Sequence, residues 1–201
     1  MEKFQNKYRI SSARAYWWDY GSNAAYFFTI CTQNRLHYFG EIENNEMIFS
    51  PLGMAAQTCW KQIPDHFPFV QLGAFVVMPN HVHGIIIINK LVDIPVGTQI
   101  VGTQSVETQN FASLPITTKQ KSQPSNNQFG PQSKNLGSII RGFKIGVTKQ
   151  SKIIAPDFKW QSRYHDHIIR NEAEYHRIEE YILKNPINWK NDKFNKSVKF
   201  S

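Results

Sequence analysis

The chain has 201 residues, 41% of them hydrophobic and 14 of them Phe, which supports a folded core and excludes a disordered protein. Lys and Arg number 23 against 15 Asp and Glu, a formal charge of +8 that points to a polyanion such as nucleic acid as partner. Two cysteines, Cys31 and Cys59, form neither a CxxC pair nor a secreted-type framework, and no run approaches about 18 apolar residues, so a disulfide scaffold, a secreted protein and a membrane span are all disfavoured.

The expectation is one domain over 1–201 in a reducing cytoplasm, close to the nucleoid if the cell is bacterial. Residues 1–24 interleave Lys7, Arg9 and Arg14 with Tyr8, Tyr16, Trp17, Trp18 and Tyr20. Cations that hold phosphates beside rings that stack on bases suit a single-stranded nucleic acid. The same rings equally suit an arm laid on the domain. Residues 25–33, AYFFTICTQ, read as a first strand. Two short apolar stretches around Asn44-Asn45 read as a hairpin, with Asn supplying the turn. Ser50-Pro51 then opens a helix over about 52–65, because Ser caps well and Pro fits the first helical position. Leu52, Ala55, Ala56, Cys59, Trp60 and Ile63 fall on one face of it.

Strands follow at 70–78 and 81–89, broken at Pro79-Asn80. Beyond Asn89 the composition changes to a polar, Pro-interrupted stretch in which VGTQ recurs, and 91–133 is expected to be a flexible insertion. Lys119 and Lys121 inside it are candidate phosphate contacts. From Asn135 an amphipathic helix turns Leu136, Ile139, Ile140, Phe143 and Val147 inward and leaves Arg141 and Lys144 as candidate nucleic-acid contacts. Three glycines in that helix imply close approach of a neighbour or a ligand. Residues 158–169 read as the last strand with its lead-in, and 171–185 as the last helix, capped by Asn171 and ended by Pro186. The order strand, hairpin, helix, strand, strand, helix, strand, helix predicts an α+β, ferredoxin-like or RRM-like sandwich with a central antiparallel sheet.

The chemistry centres on His81-Val82-His83. Alternation sends both imidazoles to one face of a strand, where they could share one metal ion or stand as two satisfied histidines. On the last helix Tyr181 and Asn185, four apart, share a face. The phenol could attack phosphorus, and the amide oxygen could complete a metal site held by His81 and His83. Imidazole mixed with oxygen donors suits Mg2+ or Mn2+. Tyr164 and Tyr175 compete for the nucleophile's role, and His165-Asp166-His167 repeats the His-x-His spacing at a presumed sheet edge or DNA-facing position.

The segments YFFTICTQNR, VVMPNHVHGIIII and WQSRYHDHIIRNEAEYHRIEEYILKNPINW, in that order, resemble the HUH single-tyrosine transposases, most of all the REP-associated tyrosine transposases. The resemblance covers nearly all of the chain except 91–133. It implies His81 and His83 as metal ligands, Asn185 as the third ligand and Tyr181 as nucleophile. It also implies cleavage of single-stranded DNA through a 5′-phosphotyrosine, and recognition of small hairpins. A second copy of the chain is a further candidate partner, because members of the family differ in whether the tyrosine acts within its own subunit or across a dimer. The alternative function is a nucleic-acid-binding regulator on the same fold that does not cut, and a metal-dependent hydrolase using water is a third.

Overall fold

The computed structural model describes residues 17–90 and 133–195. Lys7, Arg9, Arg14, Lys119, Lys121 and all but the last residue of the expected insertion lie outside the described residues. Within them the chain runs β1 (Ala24–Cys31), β2 (Gly40–Glu43), β3 (Glu46–Phe49), α1 (Pro51–Lys61), α2 (Ile63–His66), β4 (Val70–Met78), β5 (His81–Ile88), α3 (Leu136–Ile154), β6 (His165–Ile169) and α4 (Glu172–Leu183). One sheet has the order β4-β5-β1-β6, and β2 and β3 form a separate hairpin. Every pairing in the four-stranded sheet is antiparallel. This is the expected α+β sandwich, with β5 and β1 inside and β4 and β6 at the edges. None of the helices among the described residues is long and apolar enough to cross a membrane.

The two faces of the sheet divide the labour. Tyr26, Phe28, Ile30, Val82, Ile86 and Ile88 point to one face, where α1 and α3 bury Leu52, Ala56, Trp60, Ile139, Phe143 and Val147 against them. Ala25 and Ile85 point to the other face and meet Ile178 and Ile182 of α4. The uninterrupted isoleucine run of β5 follows from this, because an inner strand covered by helices on both sides has no face to give to water. Trp60 stacks on Phe75 at 4.3 Å and 6°, joining α1 to β4. Gly84 leaves room for two rings at once. A Cβ there would stand 2.8 Å from Phe28 Cζ and 3.0 Å from Phe75 Cδ2, so the strand carrying both histidines is pinned by aromatic rings on either side.

Local signals explain most element ends. Ser50 Oγ accepts from the Gly53 amide at 3.0 Å and Pro51 fills the first turn of α1. Asn44 and Asn45 adopt φ of 51° and 67°, the left-handed pair that a two-residue hairpin turn needs. Asn135 and Ser138 form a reciprocal capping box on α3, and Asn171 caps α4 through the Glu174 amide at 2.8 Å. Two helical glycines have neighbours where expected: Gly142 lies under the Phe67 ring and Gly146 under Cys59 Sγ.

Three elements differ from expectation. The helix expected over 52–65 divides at Gln62 into α1 and α2, because Pro64 lacks an amide hydrogen and its ring crowds the carbonyl one turn back. The last strand begins only at His165. Residues before it form a looped segment in which Trp160 makes an isolated bridge to Thr32 and Arg163 takes a left-handed φ of 69°. Helix α3, expected over 136–149, continues to Ile154. In β4 the register slips between Leu72 and Phe75, and Gly73 in that bulge admits the Tyr175 hydroxyl.

Candidate active site

His81 and His83 project from β5 onto the α4 face, as strand alternation requires, and both are fully buried. Their Nε2 atoms stand 3.0 Å apart. Each opposite ring nitrogen is held. His81 Nδ1 lies 2.8 Å from Asn80 Oδ1, and since the Asn80 amide nitrogen already donates to Arg35 O and Phe194 O, its oxygen must accept from His81. His83 Nδ1 lies 2.8 Å from Thr29 Oγ1, the residue opposite it on β1. In the tautomer that carries both protons on Nδ1, both Nε2 lone pairs are free. Two nitrogens bound cis to one octahedral cation at about 2.1 Å would stand about 3.0 Å apart. The pair therefore has the spacing of a bidentate metal ligand.

Burial holds both imidazoles neutral. It drives His83 down to about 3, with the Lys193 ammonium pushing the same way, and drives His81 well below 6.5 with help from the neighbouring His83. Between those values and 6.5 the unfolded chain binds protons that the folded chain refuses, so stability falls as pH falls through that window. Acidification from pH 7 to pH 5 is expected to cost about 2 kcal/mol from His83, and His81 adds to it in the same direction. Urea midpoints across that range, without divalent metal, measure it. An acid-insensitive midpoint would contradict the buried neutral pair.

Tyr181 comes from α4, the helix that covers this face. Its hydroxyl is 3.3 Å from His83 Nε2 and its ring lies 5.3 Å from the His83 ring and 6.2 Å, edge-on, from Phe27. At 41% exposure it is the ring of this cluster that meets solvent. Burial raises its pKa, and the Asn185 side chain beside it pulls the other way. Asn185, one turn further on, is 1% exposed, and its Oδ1 has no hydrogen-bond partner. Among the described residues it is the one buried side-chain atom so left, and an orphaned acceptor costs about 1–3 kcal/mol unless something outside the protein satisfies it. No group of three His, Cys, Asp or Glu among the described residues is placed to hold a metal ion. Asn185 Oδ1 is a neutral, unsatisfied oxygen on the helix that carries Tyr181 to the imidazoles.

The competing tyrosines lie elsewhere. Tyr175 occupies the β4 bulge at Gly73, and Tyr164 lines a cleft on the α3 side. His165 and His167 face a hollow of about 420 Å³ shared with Phe27, Arg177 and Tyr181, on the edge strand β6. His167 Nε2 is 2.8 Å from Glu174 Oε1, which fixes its ring. Trp18 donates from Nε1 to the Tyr26 hydroxyl at 3.1 Å and packs on the core, while Trp17 is 59% exposed. Arg141 and Lys144 line the α3 cleft, Lys144 donating to Gln161 O at 3.1 Å.

Several neighbours escape a sequence reading. Thr29 and Asn80 orient the imidazoles, and Trp189 and Phe194, beyond α4, lie 6.0 and 4.6 Å from the His81 ring. Asn80 could have been suspected from its place beside His81. Trp189 and Phe194 carry no local signal.

The sheet in the order β4-β5-β1-β6, with His-x-His on an inner strand and a tyrosine on the helix that covers it, shares its fold with a solved tyrosine transposase. A REP-associated tyrosine transposase solved bound to a REP hairpin aligns with a TM-score of 0.52 at 18% identity, over 89% of this chain and 74% of that one, a likeness of fold. The chain belongs to one family with an uncharacterized protein of Haemophilus influenzae, 38% identical over 182 residues and 90% of each chain. No family model matches.

Proposed function

We propose that this chain is a divalent-metal-dependent strand transferase for single-stranded hairpin DNA, acting through a covalent 5′-phosphotyrosine on Tyr181. The observation that carries the reading is one cluster: the Tyr181 hydroxyl at 3.3 Å from His83 Nε2, the two Nε2 atoms at 3.0 Å, and the orphaned Asn185 Oδ1. A binder that never cuts has no use for a phenol against a converging imidazole pair. The solved relative of the same fold is bound to a REP hairpin, which supports a hairpin as substrate.

His81, His83 and Asn185 would hold Mg2+ or Mn2+, and their donors fit, two neutral imidazoles and one amide oxygen. When bound, the ion supplies charge neutralisation at the scissile phosphate and the departing oxygen. Tyr181 Oη then forms a bond to phosphorus as the bond from phosphorus to the 3′ oxygen breaks. The phenolic proton leaves to solvent and the 3′ oxygen gains a proton. Because burial raises the phenol pKa, the Asn185 amide and the charge at the site must favour the phenolate. Phe27 and His83 fix the ring edge-on, which limits the nucleophile to one line of approach. The phosphotyrosine conserves the bond for rejoining to a second 3′-hydroxyl.

The test uses hairpins with single-stranded flanks, labelled at either end, with Mn2+. The expected product on a denaturing gel is protein covalently attached to the fragment downstream of the cut, with a free 3′-hydroxyl on the other fragment. Cleavage without protein attachment would assign the attack to water instead.

A further inference from the structure

On the face of the sheet opposite Tyr181, α3 and the 155–164 segment enclose a cleft of about 530 Å³. Arg141, Lys144, Lys149, Lys152 and Arg163 stand on its walls, and none of its lining residues is acidic. Its floor is apolar. Ile145 is 55% exposed there, beside Ile140 and the Trp160 ring. A row of lysines along a helix is ordinarily a solvated face, but it does not call for an exposed isoleucine and an indole between the charges.

The floor is also built to stay in place. Trp160 donates from Nε1 to Lys144 O at 3.2 Å, bridges Thr32, and meets the Phe158, Phe39 and Phe143 rings at 5.0 to 6.0 Å. Arg163 is carried by a left-handed turn, uncommon for a residue other than glycine, and lines the same cleft. Lys144 lies 5.8 Å over the indole.

A second, polar hollow of about 640 Å³ shares Trp160 with this cleft and is lined by Asn34, Arg35, Lys159 and Gln161. The Arg35 guanidinium stacks at 4.7 Å on Phe194, whose ring is 4.6 Å from that of His81. The two hollows thus share Trp160, and Arg35 at the edge of the second stacks on the ring that covers His81.

We infer that the α3 cleft takes an unpaired nucleotide of the DNA strand, its base on the Ile145–Trp160 floor and the flanking phosphates on Arg141, Lys149, Lys152 and Arg163. An apolar seat rimmed by cations matches the two halves of a nucleotide. Aromatic seats of this kind accept any base, and the cations read only the backbone. The inference rests on the strand-transfer reading for its substrate class. It adds that the substrate must carry single-stranded DNA reaching from the reactive tyrosine to the far side of the sheet.

The experiment compares fluorescein-labelled dT16 with an abasic 16-mer of equal charge, by anisotropy over a range of NaCl. The protein is used as parent, Ile145→Ala and the Lys149→Ala/Lys152→Ala double variant, all at exposed helix positions. The parent is expected to bind dT16 roughly tenfold tighter than the abasic strand. Ile145→Ala should remove most of that preference and keep the salt dependence. The double variant should keep the preference and flatten the slope of log K against log salt by about 1.4, for two phosphate contacts on a single strand. Equal affinity of the parent for both strands, an unchanged preference in Ile145→Ala, or an unchanged slope in the double variant would overturn the assignment. A protein that forms hairpin adducts but binds both 16-mers equally loses this inference and keeps the strand-transfer reading. One that prefers dT16 and never forms adducts does the reverse.

Discussion

Tyr181→Phe is expected to abolish covalent attachment to DNA while leaving hairpin affinity within about threefold of the parent. The change deletes one oxygen and keeps the ring that sits edge-on to Phe27 and beside His83. The hydroxyl loses a contact of 3.3 Å to His83 Nε2, long for a hydrogen bond, and its hydrogen bond with the Asn185 side chain, so the fold should lose about 1–2 kcal/mol. Nucleophile removal has no partial substitute nearby, because Tyr175 is lodged in the β4 bulge and Tyr164 lies in the α3 cleft. Adduct formation by labelled hairpins on a denaturing gel gives the answer. Persisting adducts in Tyr181→Phe would transfer the role to another tyrosine and undo the geometric argument.

His83→Ala is expected to weaken Mn2+ binding by more than about 100-fold, since losing even an outer-shell partner of a ligand commonly costs 10–100-fold. Cleavage should fall with it, and excess EDTA should do the same to the parent. His165→Ala is the matched control: it removes an imidazole of the second His-x-His pair, on the edge strand β6 beyond β1, and it should leave Mn2+ affinity unchanged. Titration calorimetry with Mn2+ separates the two, and circular dichroism melts show whether each variant folds. Full cleavage by the parent in excess EDTA, or equal Mn2+ affinity in His83→Ala, would remove the metal from the mechanism.

Much of this architecture was readable from residues in sequence. The two-residue alternation around Val82 placed both imidazoles on one face, the isoleucine run identified an inner strand, and Ser50-Pro51, Asn135 and Asn171 marked three helix starts. Their signals are local, governed by backbone geometry over a few residues, and they survive tertiary context. The spacing of Tyr181 and Asn185 was equally local. What sequence could not supply was which helix covers which sheet face. That depends on the chain path, and it decides that Tyr181 rather than Tyr164 meets the imidazoles, while Tyr175, on the same helix, is turned to the β4 bulge. The break at Gln62 had a visible cause in Pro64 that the amphipathic pattern over 52–65 outweighed. Residues 158–164 combined three aromatic side chains, Phe158, Trp160 and Tyr164, with a left-handed turn at Arg163, and the turn prevailed over strand propensity.

The residues that follow α4 give the site a vulnerability at a distance in sequence. Asn80 ties His81 to Phe194 O, Arg35 donates to Lys193 O at 3.2 Å, and the Trp189 and Phe194 rings roof the imidazole. Eight residues lie between Asn185 and Phe194, and that short return must span from the covering helix to the start of β5. Its length is therefore a dimension of the active site. Inserting or deleting one residue between Pro186 and Phe194 would alter neither a ligand nor the nucleophile, yet it would admit water to a histidine pair whose neutrality depends on being dry. In natural relatives, loop-length variation should be rarer in this return than in the connection after β5.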